Sequence, residues 1–326
     1  MSANALAPAK ENSTRRPRLL IMLLLLGACL ACLTAAAQTT TQPAAVGADI
    51  PALIREVARS EHAMQPRRLE YTWTAKVTER EVDKRGAVTK ETVRVYEVYP
   101  VKGEFVRKLV SENGVPVSAA EADEQFKRAV SKLEQAERER QKQAAAPAPK
   151  PAPPDPSGIQ TFGFSSGYKF RHNFTTGEFV FAPWRVLRAA EFYDPRRERF
   201  RDRDAVVLSF RPRADFQPAN DLQKPYAQLA GRLWLDAADK AVMRIEAWPL
   251  QSVAGAAARP TDPAIVYEET RLPDGMWLES LVHVRTTDAK AVFNGVDVDA
   301  TKEISDFKRF ATNSGDAQVA TPPPQP

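Results

Sequence analysis

The clearest signal in the chain is a stretch of alternating apolar and polar positions, residues 231–248, with the sequence GRLWLDAADKAVMRIEAW. Alternation on both sides of the turn sequence DAAD predicts a β-hairpin, because successive side chains of a strand point to opposite faces. The spacing predicts that Trp234 and Arg232 lie on one face. The opposite face is predicted to carry Leu233, Leu235, Met243 and Ile245. That apolar face would meet either a packed helix or a ligand.

Further alternating segments predict that this hairpin belongs to a larger sheet. Residues 69–77 have apolar or aromatic side chains at odd positions and polar ones at even positions. Short turn sequences, such as Asn113-Gly114, separate most of the segments, and such turns indicate antiparallel neighbours. The other predicted strands are 88–99, 104–111, 189–193, 205–210, 265–272, 276–286 and 292–310.

Two helices are predicted from 3.6-residue periodicity. The first covers residues 50–64, with apolar positions at Ile54, Val57, Ala58 and Ala63, and Pro66 is expected to help stop it. The second begins after Ser118, which with Glu121 forms a capping-box signature. Its first part is predicted to pack on the sheet and its charged second part to extend into solvent.

Changes in amino-acid composition along the sequence divide the chain into segments. Residues 1–37 have a basic start, an apolar run and a small-residue end, which indicate an export signal. Residues 38–49 read as a flexible tether, 50–311 as a single domain and 312–326 as a disordered tail. Residues 134–157 are predicted to be an insertion within that domain, comprising a charged helix and an exposed Pro/Ala-rich loop.

The positions of the cysteines bear on how and where the exported domain folds, and the charge distribution bears on whether it binds nucleic acid. Both cysteines, Cys29 and Cys32, lie in the signal, so the exported domain is predicted to fold without disulfides. Cleavage after Ala37 predicts a periplasmic protein; alternatively, acylation of Cys29 in a lipobox-like sequence would anchor it as a lipoprotein, and otherwise membrane contact is peripheral. Residues 1–37 contribute +3 of the formal charge of +5, so the high pI does not indicate nucleic-acid binding.

No reaction is specified by the sequence, and neither catalytic residues nor a cofactor are predicted. The three histidines, His62, His172 and His283, lack metal-ligand spacing. Phosphate-binding loops and a hydrolase elbow are absent. Asp236 and Asp239 are interpreted as turn residues, with a cation site or catalysis as the alternatives.

Aromatic and arginine side chains are the candidate binding residues. The aromatic set could line an apolar ligand cavity or simply form the sheet core. Its members are Tyr71, Trp73, Phe162, Phe164, Tyr168, Phe181, Trp184 and Trp234. Residues 185–213 contain nine arginines among five acidic residues, so Arg196, Arg197 and Arg199 are either ligands for an anionic headgroup or members of solvated salt bridges.

Three sequence motifs carry a family resemblance. They are the hairpin G-x-L-W-L-D with its return R-I-E, the strand D-G-x-W-L at residues 274–278, and the terminal S-D-F-x-R-F at 305–310. With the preceding helix and meander, these resemble bacterial exported proteins of the outer-membrane lipoprotein-sorting (LolA/LolB-like) group. The resemblance implies an α+β fold with a curved antiparallel β-sheet. This sheet would form an unclosed half-barrel of roughly ten or eleven strands, with helices packed on the concave side.

The resemblance also implies a function. We expect a non-enzymatic cell-envelope protein that binds an apolar ligand, either an acyl chain or a lipoprotein, against the aromatic side chains. The alternative is an envelope sensor or scaffold that binds a protein partner and has a plugged cavity. An envelope hydrolase is a third hypothesis and requires a convergent acid–base cluster.

Overall fold

A computed structural model describes residues 49–83, 87–144, 170–171, 178–179, 181–219, 223–253, 262–285 and 299–309. The predicted signal, most of the tether, the Pro/Ala-rich loop and the tail lie outside these residues. None of the helices in the described part is long and apolar enough to cross a membrane.

The described helices include both of those predicted. They are α1 (Ile50–Arg68), α2 (Ala119–Ala144), α3 (Pro183–Ala189), α4 (Leu250–Val253) and a 3₁₀ turn (Lys224–Gln228). The Asp49 side chain caps α1 by accepting a hydrogen bond from Ala52 N at 3.0 Å. Ser118 Oγ accepts one from Glu121 N at 3.3 Å, which supports the predicted start of α2.

The strands form one large antiparallel sheet and a small hairpin. Their bounds are β1 (Tyr71–Val82), β2 (Val88–Val101), β3 (Glu104–Glu112), β4 (Val115–Pro116), β5 (Phe170–Arg171), β6 (Glu178–Phe179), β7 (Ala190–Phe200), β8 (Arg203–Pro212), β9 (Leu229–Asp236), β10 (Val242–Pro249), β11 (Ile265–Arg271), β12 (Trp277–Arg285) and β13 (Asp299–Arg309). The 11-stranded sheet has the order β4-β3-β2-β1-β13-β12-β11-β10-β9-β8-β7, and β5 pairs with β6. The sheet is not closed, which confirms the predicted unclosed half-barrel of α+β class.

One pairing joins the first strand of the sheet to the last. Strand β1 lies between its sequence neighbour β2 and the last strand, β13. The β1–β13 ladder runs from Tyr71 opposite Arg309 to Arg80 opposite Asp299. The sheet thus consists of two meanders, β1–β4 and β7–β13, that share a single junction.

Helices α1 and α3 cover one face of the second meander. Leu53 and Val57 of α1 and Leu187 of α3 belong to one buried cluster with Leu233 and Leu235 of β9. The opposite face carries a smaller cluster that includes Ala205, Val207, Trp234, Met243 and Trp277. The predicted apolar face of the hairpin therefore packs beneath helices.

The sequence pattern predicted the wrong face for one residue of that hairpin, Met243. Met243 packs with Trp234 rather than with Leu233, and Val242 takes its place in the main cluster. The cause is a break in register between Val242 and Arg244, where β10 passes its partner β9. This irregularity places one additional residue in β10, which reverses the alternation of faces beyond it. Val242 and Ile245 therefore both face the core, and Met243 does not.

The end of α1 also differs from the prediction. The helix continues through Pro66 to Arg68, and Ala63 is exposed. Proline cannot donate the helical hydrogen bond, but it leaves a final turn possible when other contacts hold it. Here Leu69 N and Glu70 N donate to Pro66 O and Arg67 O, at 3.2 and 3.0 Å.

The arginine-rich segment is more regular than predicted. Strands β7 and β8 extend to Phe200 and Arg203, so only Arg201 and Asp202 form the turn, both with positive φ. At the other end of the chain, the described part of the last strand begins at Asp299. The predicted residues 292–298 lie outside the described residues.

Gly231 provides a test of the packing between strands β8 and β10. A Cβ at this position would lie well inside van der Waals distance of Glu246 O and the Phe210 ring. We expect Gly231→Ala to lower the free energy of unfolding by about 2 kcal/mol or more, because backbone atoms would have to move. Denaturant unfolding measures the change.

Gly114→Ala is the matched control for this substitution. Its Cβ would meet nothing within 4 Å, so its cost arises only from a φ of +77° and should be about 1 kcal/mol. Equal stabilities of the Gly231→Ala variant and the unmodified protein would contradict the packing described here.

Candidate functional site

The candidate site is a cavity beside the last turns of α1. The space in it that admits a water-sized sphere is about 50 Å³. Side chains or backbone of α1, β1, β3, β11, β12, β13 and the start of α3 surround it. The lining residues are Glu61, Gln65, Arg68, Trp73, Phe105, Phe181, Ala182, Pro183, Trp184, Tyr267, Leu278, Glu279 and Phe307.

Aromatic rings form most of the apolar wall. The Trp73 ring lies 4.5 Å from that of Phe105 and 6.4 Å from that of Phe307, between ring centroids. Phe181 lies 5.6 Å from Tyr267. These tilted arrangements are favourable for aromatic pairs. The wall therefore combines side chains from both meanders of the sheet.

The polar end of the cavity is built by one face of α1. Glu61, Gln65 and Arg68 follow one another at helical spacing, which places them on the same side of the helix. Arg68 Nη2 donates to Glu61 Oε2 at 3.0 Å and to both oxygens of Glu269, at 3.0 and 3.1 Å. Arg68 Nε donates to Trp277 O at 3.4 Å. The guanidinium thus ties α1 to strands β11 and β12.

Burial shifts the titration of these groups. Burial and the neighbouring carboxylates of Glu61 and Glu279 raise the pKa of Glu269 to about 8, although Arg68 opposes the shift. Tyr267, whose hydroxyl donates to Glu269 Oε1 at 2.6 Å, has its pKa raised well above the ordinary value by the same burial. Burial lowers the pKa of Lys302, paired with Glu279, to about 8.

The structure brings together part of the predicted aromatic set. Trp73, Phe181 and Trp184 line the cavity. Tyr71 is buried in the cluster around Trp73, but it is not among the lining residues, and its hydroxyl donates to Asp274. Phe162, Phe164 and Tyr168 lie outside the described residues.

Trp234 lies on the opposite face of the sheet from the helices. Its indole N–H donates to Glu198, its ring packs against Phe200 with 6.2 Å between centroids, and the Arg244 guanidinium lies 5.9 Å above it. This tryptophan is therefore a packing residue of that face and does not line the cavity.

The three candidate headgroup arginines lie on the edge strand β7. Arg196 is 3.9 Å from Asp194, and Arg199 donates to Asp202 O at 2.7 Å. Neither they nor Arg197 line the cavity; among the described residues, the arginine that does is Arg68.

The Asp236–Asp239 turn is structural. Asp236 Oδ1 accepts hydrogen bonds from Ala238 N at 3.0 Å and Asp239 N at 2.7 Å, and its side chain also pairs with Arg203. Asp239 accepts from Arg271 Nε at 2.6 Å and Trp277 Nε1 at 3.0 Å. These contacts join the hairpin tip to β8, β11 and β12, as expected of turn residues.

The histidines do not converge on the site in the part of the chain that is described. His62 is exposed on α1, and His283 lies 3.3 Å from Asp299. His172 lies outside the described residues. Among the residues described, no group of three or more His, Cys, Asp or Glu side chains could hold a metal ion.

Sequence reasoning missed the charged residues of the polar end. Glu269 and Glu279 stand in the predicted strands 265–272 and 276–286, and Lys302 in the last one. Glu268 and Glu269 directly follow an apolar run that begins at Ile265, and both are buried. Acidic residues at the end of such a run are the available signal, because a buried carboxylate needs a partner. The sequence around Arg68 contains no signal that identifies it as that partner.

Comparisons with known proteins identified similar structures. No family model and no curated protein matches the sequence. A putative outer membrane lipoprotein-sorting protein domain from Vibrio parahaemolyticus is 9% identical, with 81% of this chain and 95% of that chain covered and a TM-score of 0.33. A LolA superfamily protein from Nitrosomonas europaea is 10% identical, with coverage of 79% and 94% and a TM-score of 0.27.

A third structure, the MucA/MucB complex of Pseudomonas aeruginosa, is 11% identical, with coverage of 79% and 100% and a TM-score of 0.21. The group predicted from the sequence motifs is thus represented among the structures that this chain is similar to. At these identities and TM-scores the similarity assigns no ligand, and the fold described above rests on the strand order of the chain itself.

The raised pKa of Glu269 predicts a pH dependence of stability. Its pKa is about 8 in the folded protein and 4.5 in a free side chain. The folded state therefore binds more protons than the unfolded state between these values, and stability falls as pH rises through this window. We expect Glu269→Gln to flatten this part of the curve, which unfolding experiments across the range measure.

Glu303→Gln is the control, because the Glu303 side chain is 56% exposed. It should leave the slope unchanged. A slope that is the same in all three proteins would contradict the assignment to Glu269.

Proposed function

We propose that this chain is an exported cell-envelope protein that binds an apolar chain, either an acyl chain or a lipoprotein, non-covalently in the cavity beside α1. The observation that carries the proposal is the cavity wall of Trp73, Phe105, Phe181, Trp184 and Phe307. The export signal predicted in residues 1–37 supports the envelope location. Periplasmic release and acylation of Cys29 remain the two alternatives for that location.

The chemistry of the cavity wall suits such a ligand. The space that admits a water-sized sphere is only about 50 Å³, below the roughly 300–1,000 Å³ of small-molecule sites, so the ligand enters as side chains of the wall move apart. Each buried methylene contributes about 0.8 kcal/mol. Several methylenes against the aromatic wall would therefore suffice for binding without any charged contact.

Lipid extraction and mass spectrometry of protein purified from its native envelope test the proposal directly. We expect a stoichiometric acyl-containing molecule to accompany the protein. A protein that is recovered lipid-free, and that also fails to take up an acyl probe in solution, would contradict the proposal.

Filling the cavity should abolish binding. Leu278 is buried and lines the cavity, so Leu278→Trp places additional volume where the chain would lie. We expect a loss of affinity for a fluorescent acyl probe of about tenfold or more, because the displaced methylenes lose their burial. Fluorescence titration measures it.

Leu281→Trp, the same substitution on the same strand at a position that does not line the cavity, is the control. It should bind the probe as the unmodified protein does. Thermal unfolding of both variants shows whether each is folded. A folded Leu278→Trp variant with unchanged affinity would place the ligand elsewhere.

A second candidate function is an envelope interaction module, and the observation that favours it is helix α2. Near its start α2 is attached to the sheet by Lys108 and Asp123, 2.6 Å apart, and by the rings of Tyr99 and Phe126, 5.7 Å apart. Beyond the Glu134–Lys102 pair at 2.8 Å, the described side chains up to Glu139 are mostly exposed. This second half resembles a contact element.

Deleting residues 134–157 separates the two functions. A carrier should keep its affinity for the acyl probe, because none of residues 134–144, the described part of this segment, lines the cavity. A scaffold should lose its partner in a pull-down from envelope extracts. Loss of probe binding in a folded deletion variant would contradict the carrier mechanism as described.

A further inference from the structure

The polar end of the cavity contains a hydrogen-bond donor, Arg68 Nη1, that has no acceptor among the described residues. Arg68 uses Nη2 for Glu61 and Glu269, and Nε for Trp277 O. Among the described residues, none accepts a hydrogen bond from Arg68 Nη1. Arg68 also lines the cavity, so a ligand oxygen at the polar end would lie beside this guanidinium.

The charges around this donor are balanced. Glu61 and Glu279 line the cavity, and Arg68 and Lys302, the latter paired with Glu279, offset their charges. Glu269 lies directly behind Arg68, and its pKa of about 8 leaves it mostly protonated at neutral pH. Two carboxylates and two cations therefore leave the polar end without surplus positive charge for an anion. A carboxylate or phosphate placed there would be desolvated and would face carboxylates at close range, which is unfavourable.

Other cations near the cavity are engaged elsewhere. The Arg185 guanidinium lies 5.1 Å from the centroid of the Trp184 ring, and that of Arg107 lies 5.1 Å from the Tyr96 ring. Neither residue is part of the lining. Among the described residues, Arg68 is therefore the cationic donor that lines the cavity, and its charge is offset by Glu61.

We propose that the polar end selects a neutral hydrogen-bonding group, the carbonyl of an ester or amide attached to the apolar chain, and rejects a free carboxylate or phosphate. This inference rests on the proposed function, since it concerns the ligand of the same cavity. The carbonyl oxygen accepts from Arg68 Nη1, and the chain extends along the aromatic wall. Recognition therefore distinguishes esterified or amidated acyl groups from the corresponding free acids.

Competition binding with a matched series of ligands tests the selectivity. The series is a long-chain fatty acid, its methyl ester and its primary amide, all of one chain length, displacing a fluorescent acyl probe at neutral pH. We expect the ester and the amide to bind about tenfold or more tightly than the ionised acid, the discrimination expected of an uncompensated charge at a buried site.

Glu279→Gln links the selectivity to the charges of the polar end. The substitution removes one negative charge from the lining and keeps the shape of the side chain. The ratio of ester to acid affinity should fall severalfold in this variant. Glu303→Gln, at an exposed position, should leave it unchanged. Circular dichroism and thermal unfolding confirm that both variants are folded.

The outcomes separate this inference from the proposed function. If no member of the series displaces the probe, the proposed function fails and the inference with it. If all three bind and the acid binds as tightly as the ester, the function stands and the inference is overturned. The same conclusion follows if the acid binds more tightly and Arg185→Gln removes that preference, because the anion would then be bound by Arg185 and not at the polar end.

Discussion

The contact between Arg68 and the buried carboxylates of Glu61 and Glu269 is the interaction on which the site depends. Burying charged and polar groups is costly, and the cost is offset only when the partners keep close, well-directed hydrogen bonds. The Glu269 side chain is fully buried and accepts from Arg68 through both oxygens. The last turn of α1 therefore has little freedom to shift along the sheet, and this explains why the helix continues through Pro66. Its position in turn defines the polar end of the cavity.

Much of the fold could be predicted from the sequence because strand signals are local. Alternation and turn residues such as Asn113-Gly114 identified the meanders, and the hairpin at residues 231–248 was correct in both strands and turn. The error at Met243 has a clear physical origin. A bulge adds one residue without changing composition, so an alternation count cannot detect it, and Val242 and Met243 are both apolar enough for either face.

The site was less predictable because its parts are distant in sequence. Arg68 and Glu269 are separated by 201 positions, and neither belongs to a motif. Trp73, Phe181 and Trp184 were identified by residue type alone, and the same criterion selected Trp234, which lies on the other face. Residue type indicates what a side chain can bind, but only strand register shows which side chains share a wall.

The junction of β1 with β13 has a consequence for how the chain acquires its structure. Every other pairing in the large sheet joins strands that are successive in the chain, whereas this pairing joins the start of the domain to its end. Contacts of such long sequence separation form slowly, because a large loop must close first. Until residues 299–309 pair with them, β1 and β12 each have an unpaired edge. Aggregation is therefore most favoured after the first meander has folded and before the last strand has paired. This is the stage at which a chaperone would protect the chain most.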